Sequence, residues 1–174
     1  MGATCVVLSS RSGRIGGPVD AAERNAKMHV AACDVSEAAD AFALLALAAP
    51  TGVLHAAGVL HDTMLRSMAA SGFDAVCAPK ALAASHVQVS VTRTPLEAMG
   101  LFSSASATFG NIGQGNYAAA NSFLDSLAPS RRQYGRAAVS VQWTGWGEVG
   151  MAAGLEGLAR KRMEEAKQSA GDRA

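Results

Sequence analysis

Short apolar runs rich in β-branched residues alternate along this chain with longer stretches of helical character. That alternation is typical of βαβ units, in which helices connect the parallel strands of a sheet. A parallel connection has to travel back along the sheet before the next strand begins, which explains the longer helical stretches. The predicted strands are Thr4–Leu8, His29–Cys33, Gly52–Leu54, Ala98–Ser103 and Ala138–Gln142.

Three helices are expected between these strands. Ser36 is expected to cap a helix that runs through Leu47, because a serine side chain accepts hydrogen bonds from free N–H groups of the first turn. A second helix begins near Ser71, and Pro79 bends or splits it because proline cannot donate a helical hydrogen bond. A third runs from Gly115 to Arg132.

Length and charge restrict the class of protein. The 174 residues amount to about one domain, predicted as a main body over 1–153 and a charged tail over 154–174. A net charge of +1 without a basic stripe argues against nucleic-acid binding. The longest apolar run, 41–49, is less than half the ~20 residues of a membrane span, and no secretion signal is visible. We therefore expect a cytoplasmic protein with no membrane partner.

Three cysteines without a Cys-x-x-Cys pair argue against a disulfide framework and against zinc, so no metal site is predicted. The chemistry is expected elsewhere, where a strand ending at Ser103 and Ser104 is followed by a loop and by Tyr117 in the first turn of a helix. Ligands of open α/β sheets bind at the carboxyl ends of the strands. These hydroxyls are thus placed at a predicted ligand site.

Four motifs in this order and approximate spacing resemble the ketoreductase domain of polyketide and fatty-acid synthases, a branch of the short-chain dehydrogenase/reductase superfamily. The resemblance covers roughly residues 4–152. The motifs are His55-Ala56-Ala57-Gly58-Val59-Leu60, Ala78-Pro79-Lys80, Phe102-Ser103-Ser104 and Gln114-Gly115-Asn116-Tyr117-Ala118-Ala119-Ala120-Asn121.

The resemblance implies four catalytic residues. Tyr117 matches the catalytic acid, Ser104 the partner that hydrogen-bonds the substrate carbonyl, and Lys80 the active-site lysine. Most of the superfamily places that lysine four residues after the tyrosine, where this chain has Asn121. The synthase ketoreductases likewise have the lysine upstream and an asparagine after the tyrosine. This departure from the superfamily pattern therefore narrows the resemblance to the synthase ketoreductases.

The chemistry of ketone reduction calls for these residue types. The protein must supply a proton to the carbonyl oxygen at neutral pH. A phenol has a pKa near 10, so a nearby ammonium such as Lys80 would ease its ionisation. Ser104 would stabilise negative charge on the carbonyl oxygen, and Asn121 could hold a water that relays protons from solvent.

The cofactor implied by the resemblance is NADPH. Arg11 follows a strand, where a guanidinium suits the 2′-phosphate, and Cys33-Asp34-Val35 resembles the turn that contacts adenine. Trp143 and Trp146 are equally compatible with the core and with a substrate groove. The predicted cofactor-binding residues are Arg11, Asp34, Val35, Ala56, Ala57, Gly58, Lys80, Tyr117 and Gly145.

The predicted fold is a Rossmann-like, doubly wound parallel sheet that lacks the first β-strand and its Gly-rich loop. No such loop precedes the strand that ends at Arg11. Arg11 and Asp34 are separated by only 23 positions in sequence, which is too short for a complete unit. In the alternative registration, Thr4–Leu8 is the first strand and Gly13–Gly17 a degenerate phosphate loop.

The leading functional hypothesis is NADPH-dependent reduction of a β-ketoacyl thioester, delivered by an acyl carrier protein within a synthase whose other domains are partners. One alternative is a non-catalytic structural or interaction module, and another is a free-standing carbonyl reductase. Leu60-His61-Asp62 resembles the Leu-Asp-Asp triplet of the class that yields the D-hydroxy product, and Phe109 lies where the opposite class has Trp. Both features lean toward the Leu-Asp-Asp class.

Overall fold

A computed structural model of the chain describes residues 3–14 and 26–144. Residues 1–142 form one compact unit and residues 143–174 a second, of which only Trp143 and Thr144 are described. Each predicted strand overlaps an observed one. The strands are β1 (Cys5–Ser10), β2 (Lys27–Ala32), β3 (Gly52–His55), β4 (Ala98–Ser104) and β5 (Val139–Trp143).

The strands form two separate sheets. β1 and β2 pair in parallel, and β4 lies between β3 and β5 in the other sheet, with β3 and β4 parallel. In the doubly wound order 3-2-1-4-5-6, these two groups take the places on either side of strand 1. No described strand pairs with the second edge of β1 or of β3. The Rossmann-like fold without its first strand is thus confirmed for the described residues.

The observed helices match the predicted ones with two differences. The N-cap position of the first helix is Glu37, one residue later than predicted, and its side chain makes no capping hydrogen bond. Ser36 instead donates its N–H and hydroxyl to Asp34 Oδ1. The short helix α4 was not predicted. The helices are α1 (Ala38–Ala48), α2 (Ala70–Cys77), α3 (Ala83–Ser90), α4 (Ser106–Phe109) and α5 (Gly115–Gln133), with a 3₁₀ turn at Leu65–Ser67.

Pro79 splits the second predicted helix, as expected. The five residues Ala78–Leu82 form a π-helical turn between α2 and α3. Proline has no N–H for the regular helical ladder, and π turns of this kind occur frequently at functional sites. None of the described helices has the length and apolarity to cross a bilayer.

The main core lies on one face of the β3–β4–β5 sheet, where α3 and α5 pack against β4. The opposite face is open at Leu54, which is 74% exposed. Parallel sheets are normally covered on both faces, whereas the described residues cover this sheet on the core face alone. The buried core residues are Ala84, Val87, Met99, Leu101, Leu124 and Ala128.

Candidate active site

Lys80 is a buried cation, with only 2% of its surface exposed. It lies in the π turn, where the N–H of Ala83 reaches back five residues to the carbonyl of Ala78. The Lys80 ammonium donates to the backbone carbonyl of Phe102 at 2.8 Å. Burial lowers the pKa of Lys80 to about 8, although the charge of Asp125 partly opposes the shift. The pKa brings this lysine close to neutral pH, where it can exchange a proton.

Tyr117 lies in the first turn of α5, with the Lys80 Nζ 5.6 Å from its ring centroid. The ring is buried and packs in a small apolar cluster with Val76 and Ala120. Val59 and Leu60 from the loop after β3 complete this cluster, together with Cys77 and Ala81 from α2 and the π turn. The structure therefore brings the predicted acid and the predicted lysine together.

Asn121 lies one helical turn beyond Tyr117 and is fully buried. Its Nδ2 donates to the carbonyl of Tyr117 at 2.8 Å, and Ser103 Oγ donates to the Asn121 carbonyl at 3.3 Å. The Asn121 Oδ1 has no hydrogen-bond partner among the described residues. A buried acceptor is normally satisfied by protein or by water. Asn121 is therefore suited to accept a hydrogen bond from a water or a ligand.

Ser104 ends β4 and is half-buried. Its Oγ accepts from the N–H of Ser106 at 3.2 Å and from the Ser106 hydroxyl at 2.9 Å. Both contacts use the oxygen of Ser104 and leave its own proton for another acceptor. The side chain can therefore donate to a substrate oxygen while α4 holds it in place.

Arg11 and Asp34 lie at the carboxyl ends of β1 and β2, in the other sheet. These ends are joined by the Cys33 N–H, which donates to the Ser10 carbonyl at 2.9 Å. Arg11 is exposed and lines an open pocket with Ser10 and Ser12. Hydrogen bonds from Ser36 lower the pKa of Asp34, with a smaller contribution from the charge of Arg11. A cation and an acceptor thus share this edge.

Of the remaining predicted cofactor residues, four are described by the structure and one is not. Val35 follows Asp34, and Ala56, Ala57 and Gly58 follow β3 at the end of the sheet where Ser104 ends β4. Gly145 lies outside the described residues, as do Trp146 and the Gly16-Gly17 pair of the alternative phosphate loop.

No group of three or more His, Cys, Asp or Glu side chains in 3–14 and 26–144 is placed to hold a metal.

Asn116 is a structural residue that the sequence interpretation did not single out. Its Oδ1 accepts from the N–H of Tyr117 at 2.8 Å, and its Nδ2 donates to the carbonyls of His61 and Gly72. The bond to His61 is part-buried and the other two are buried, so Asn116 ties the start of α5 to the loop after β3 and to α2. In the sequence, its position directly before Tyr117 in the fourth motif is the feature that could have indicated this role.

A second tie joins the same loop to α5. Gln114 Nε2 donates to both carboxylate oxygens of Asp62, at 3.1 and 3.2 Å, and the N–H of Thr63 donates to the Gly113 carbonyl. The Leu-Asp-Asp-like triplet is therefore anchored beside the tyrosine helix. Phe109, by contrast, is 85% exposed.

Taken together, the carboxyl end of the β3–β4–β5 sheet carries a phenol, a buried ammonium, a hydroxyl donor and an unsatisfied amide oxygen. A phenol beside an ammonium can give a proton to a basic oxygen, since the positive charge stabilises the phenolate that remains. This combination is suited to protonating a carbonyl oxygen during its reduction.

Comparison with known proteins agrees with this chemistry. The family model of the KR domain matches residues 1–148. The polyketide synthase GfsA of Streptomyces halstedii is 41% identical over an alignment of 160 residues, which covers 87% of this chain and 2% of the synthase. A phenolphthiocerol synthesis polyketide synthase type I of Mycobacterium tuberculosis, Pks1, is 40% identical over an alignment of 169 residues, which covers 91% of this chain and 10% of that protein. Its name includes the word "inactive".

A solved A1-type ketoreductase superposes with a TM-score of 0.79 at 38% identity, covering 90% of this chain and 35% of that one. The chain thus spans about a third of this ketoreductase and 2 to 10% of these two synthases. It belongs to the KR domain family, the ketoreductases of polyketide synthases, and has their short-chain dehydrogenase/reductase fold.

Proposed function

We propose that this chain carries the catalytic residues of an NADPH-dependent β-ketoacyl reductase, which converts a β-ketoacyl thioester to the β-hydroxyacyl thioester in polyketide or fatty-acid biosynthesis. The substrate is presented by an acyl carrier protein, and other synthase domains are partners. The observation that supports this most directly is the buried Lys80 ammonium 5.6 Å from the Tyr117 ring, at the carboxyl end of the sheet.

Tyr117 donates the proton that the carbonyl oxygen takes up on reduction. Lys80 stabilises the resulting phenolate, and its own place is kept by the hydrogen bond to Phe102. Ser104 donates its free proton to the same carbonyl oxygen and so orients the ketone. Asn121 Oδ1 binds a water through which Tyr117 regains its proton from solvent.

The chemistry at Arg11 and Asp34 fits the adenosine end of NADPH. The exposed guanidinium of Arg11 can bind the 2′-phosphate, and Asp34 Oδ2, which accepts no hydrogen bond from a described residue, can accept from the adenine amine. Val35 continues this turn, and the small residues Ala56, Ala57 and Gly58 allow the ribose to approach the backbone. Lys80, Tyr117 and Gly145 complete the proposed set. When bound, NADPH supplies the hydride.

The rival proposal is a non-catalytic KR module, and the split sheet favours it. The described residues include no Gly-rich turn between a strand and a helix, the usual seat of a pyrophosphate. The M. tuberculosis relative with "inactive" in its name shows that this family includes chains so described. Such a module would keep the buried cluster around Tyr117 without using it.

Two measurements on the full chain separate the proposals. We expect calorimetric titration with NADPH to give micromolar binding, and the absorbance of NADPH to fall when a β-ketoacyl thioester is added. The proposed non-catalytic module is one that cannot bind the cofactor, so binding at this level would reject it. Absence of both binding and turnover, in a sample shown to be folded by circular dichroism, would reject the reductase.

Two comparisons refine the substrate. Faster turnover of a thioester on a carrier protein than of a free ketone is expected for a synthase domain, whereas the opposite order would indicate a free-standing carbonyl reductase. We expect the D-hydroxy product, because Asp62 of the Leu-Asp-Asp-like triplet is held by Gln114 beside the site. Chiral analysis of the alcohol decides this point.

A further inference from the structure

His55 is a buried histidine to which the reaction above gives no role. It is the last residue of β3, and its Nε2 lies 2.9 Å from the carbonyl oxygen of Lys80. A carbonyl oxygen can only accept a hydrogen bond, so the Nε2 must carry the hydrogen and donate it. His55 therefore binds the main chain of the proposed active-site lysine across 25 residues of sequence.

The main chain of Lys80 needs such a contact because it lies in an irregular turn. The N–H of Ala83 is shared between the carbonyls of Ala78 and Lys80. A shared donor binds each of its acceptors less well than an undivided one. The imidazole of His55 adds a second donor to the Lys80 carbonyl, and this donor is fixed to a strand.

The side chain of Lys80 is held by the neighbouring strand. His55 is paired with Leu101 in the parallel register of β3 and β4, and the next residue, Phe102, supplies the carbonyl that accepts from the Lys80 ammonium. The two ends of this lysine are thus bound by adjacent positions of two adjacent strands. Its Nζ is thereby kept 5.6 Å from the Tyr117 ring.

The ionisation of His55 agrees with this arrangement. Burial lowers the pKa of His55. The hydrogen bond to the Lys80 carbonyl partly opposes this shift, and the positive charge of Lys80 adds to it. The neutral imidazole with its hydrogen on Nε2 keeps the hydrogen bond to Lys80 and adds no second positive charge near the ammonium.

We propose that His55 is a positioning residue that fixes Lys80, and through it the ammonium beside Tyr117, by donating from Nε2 to the Lys80 carbonyl. Its importance for catalysis rests on the proposed function. The contact itself does not, and it can be measured in a chain that has no activity.

The first test uses the unaltered chain. Long-range ¹H–¹⁵N NMR of the four histidines distinguishes the two neutral tautomers. We expect His55 to carry its hydrogen on Nε2 at neutral pH. A hydrogen on Nδ1 alone would overturn the proposal whatever the activity of the chain, because the Lys80 carbonyl would then have no donor from this ring.

The second test follows Lys80 in a chain labelled with ¹³Cε-lysine, with the signal assigned by its loss in Lys80→Arg. In His55→Leu the titration midpoint of Lys80 should move up toward the ordinary lysine value, because the released ammonium reaches solvent. His55→Gln places an amide Nε2–H near the original donor and should restore the midpoint. His29→Leu, an exposed histidine of β2, is the matched control and should leave it unchanged.

A folded His55→Leu chain with the original Lys80 midpoint would overturn the proposal. If His55→Leu does not fold, the tautomer of the unaltered chain and the midpoint of His55→Gln decide. If the chain reduces β-ketoacyl thioesters, His55→Leu should lower kcat with little change in KM, and His55→Gln should recover most of the loss. An inactive chain with the expected tautomer and midpoints would reject the reductase and keep the positioning role.

Discussion

The two sheets of this chain hold their functional side chains in different ways. Beside the β3–β4–β5 sheet, Lys80, Tyr117 and Asn121 are buried. The Lys80 ammonium is bound by Phe102 and the Asn121 carbonyl by Ser103, both of which are strand residues distant in sequence. On the β1–β2 sheet, Arg11 is exposed and Asp34 is held by Ser36, two residues away. Long-range packing thus fixes the proposed catalytic residues, whereas local turns shape the proposed adenosine site.

The difference follows from how each sheet is covered. Met99 and Leu101 of β4 are buried against α3 and α5, whereas no residue of β1 or β2 is fully buried. Regions with few buried apolar contacts open at lower free energy than the core. We expect the proposed catalytic region at the β3–β4–β5 sheet to be the more rigid of the two. The conformation of the proposed adenosine site at the β1–β2 sheet should depend more on whether a ligand is bound.

The largest expected effect is at the catalytic side. Tyr117→Phe removes the proton donor and keeps the buried ring, so turnover should fall by ~10²–10⁴-fold, or ~3–5 kcal/mol in activation free energy, with the fold retained. Tyr134→Phe is the control, because Tyr134 is 76% exposed and lies at the end of α5. NADPH oxidation with a β-ketoacyl thioester measures both. An equally active Tyr117→Phe chain would remove the proposed mechanism.

The core of the β3–β4–β5 sheet should also contribute more to the free energy of unfolding than the β1–β2 sheet. Leu101→Ala leaves a cavity in the main core and should lower the free energy of unfolding by ~2–5 kcal/mol. Val7→Ala removes a side chain that is 38% exposed, and its loss should stay below ~1 kcal/mol. Urea unfolding measures the two variants. Equal losses would contradict the contrast drawn between the sheets.

The buried Lys80 should make stability depend on pH. Its pKa is lowered from 10.5 to about 8, so between these values the unfolded chain holds a proton that the folded chain has released. Stability should therefore rise with pH above 8, by up to ~1.4 kcal/mol per pH unit. Urea unfolding between pH 8 and 9.5 should show this slope, and Lys80→Met should lack it.

Burial raises the pKa values of Cys33 and Cys77, and this makes stability fall with pH. Both cysteines are present in the original chain and in Lys80→Met, so their contribution cancels when the two stability profiles are subtracted. If the original chain and Lys80→Met gave parallel profiles of stability against pH, the pKa of Lys80 would not be lowered in the folded state.

The smallest expected effect on function is at the exposed β1–β2 sheet. Arg11→Gln should raise the Kd for NADPH about tenfold, ~1.4 kcal/mol, because the phosphate contact is solvent-exposed. The Kd for NADH, which lacks the 2′-phosphate, should change little. Arg14→Gln, at a nearby exposed arginine, is the control. If both variants weaken NADPH equally, the effect is one of net charge and not of a phosphate site.

Much of the fold could be predicted because it depends on local patterns. All five strands overlap their predicted ranges, and the Tyr117, Asn121 and Leu124 face of α5 is buried as its helical spacing indicates. The break at Pro79 was also predicted, since the missing N–H is a property of the residue itself.

Other features could not be predicted because they depend on distant partners. Nothing in the residues around Pro79 shows that the break takes the form of a π turn that buries Lys80. The roles of Asn116 and His55 arise from carbonyls 25 to 55 residues away. Short α4 has too little periodicity to be read from four residues.

The sequence by itself determined the βαβ alternation, the family motifs and the identity of the groups that can donate or hold a proton, because these follow from residue type and spacing. The tertiary structure decided how those groups meet. It buried Lys80 beside Tyr117, bound that lysine to the ends of β3 and β4, and left the sheet divided at one place. Burial, pKa and strand pairing are set by neighbours that come together only when the chain folds.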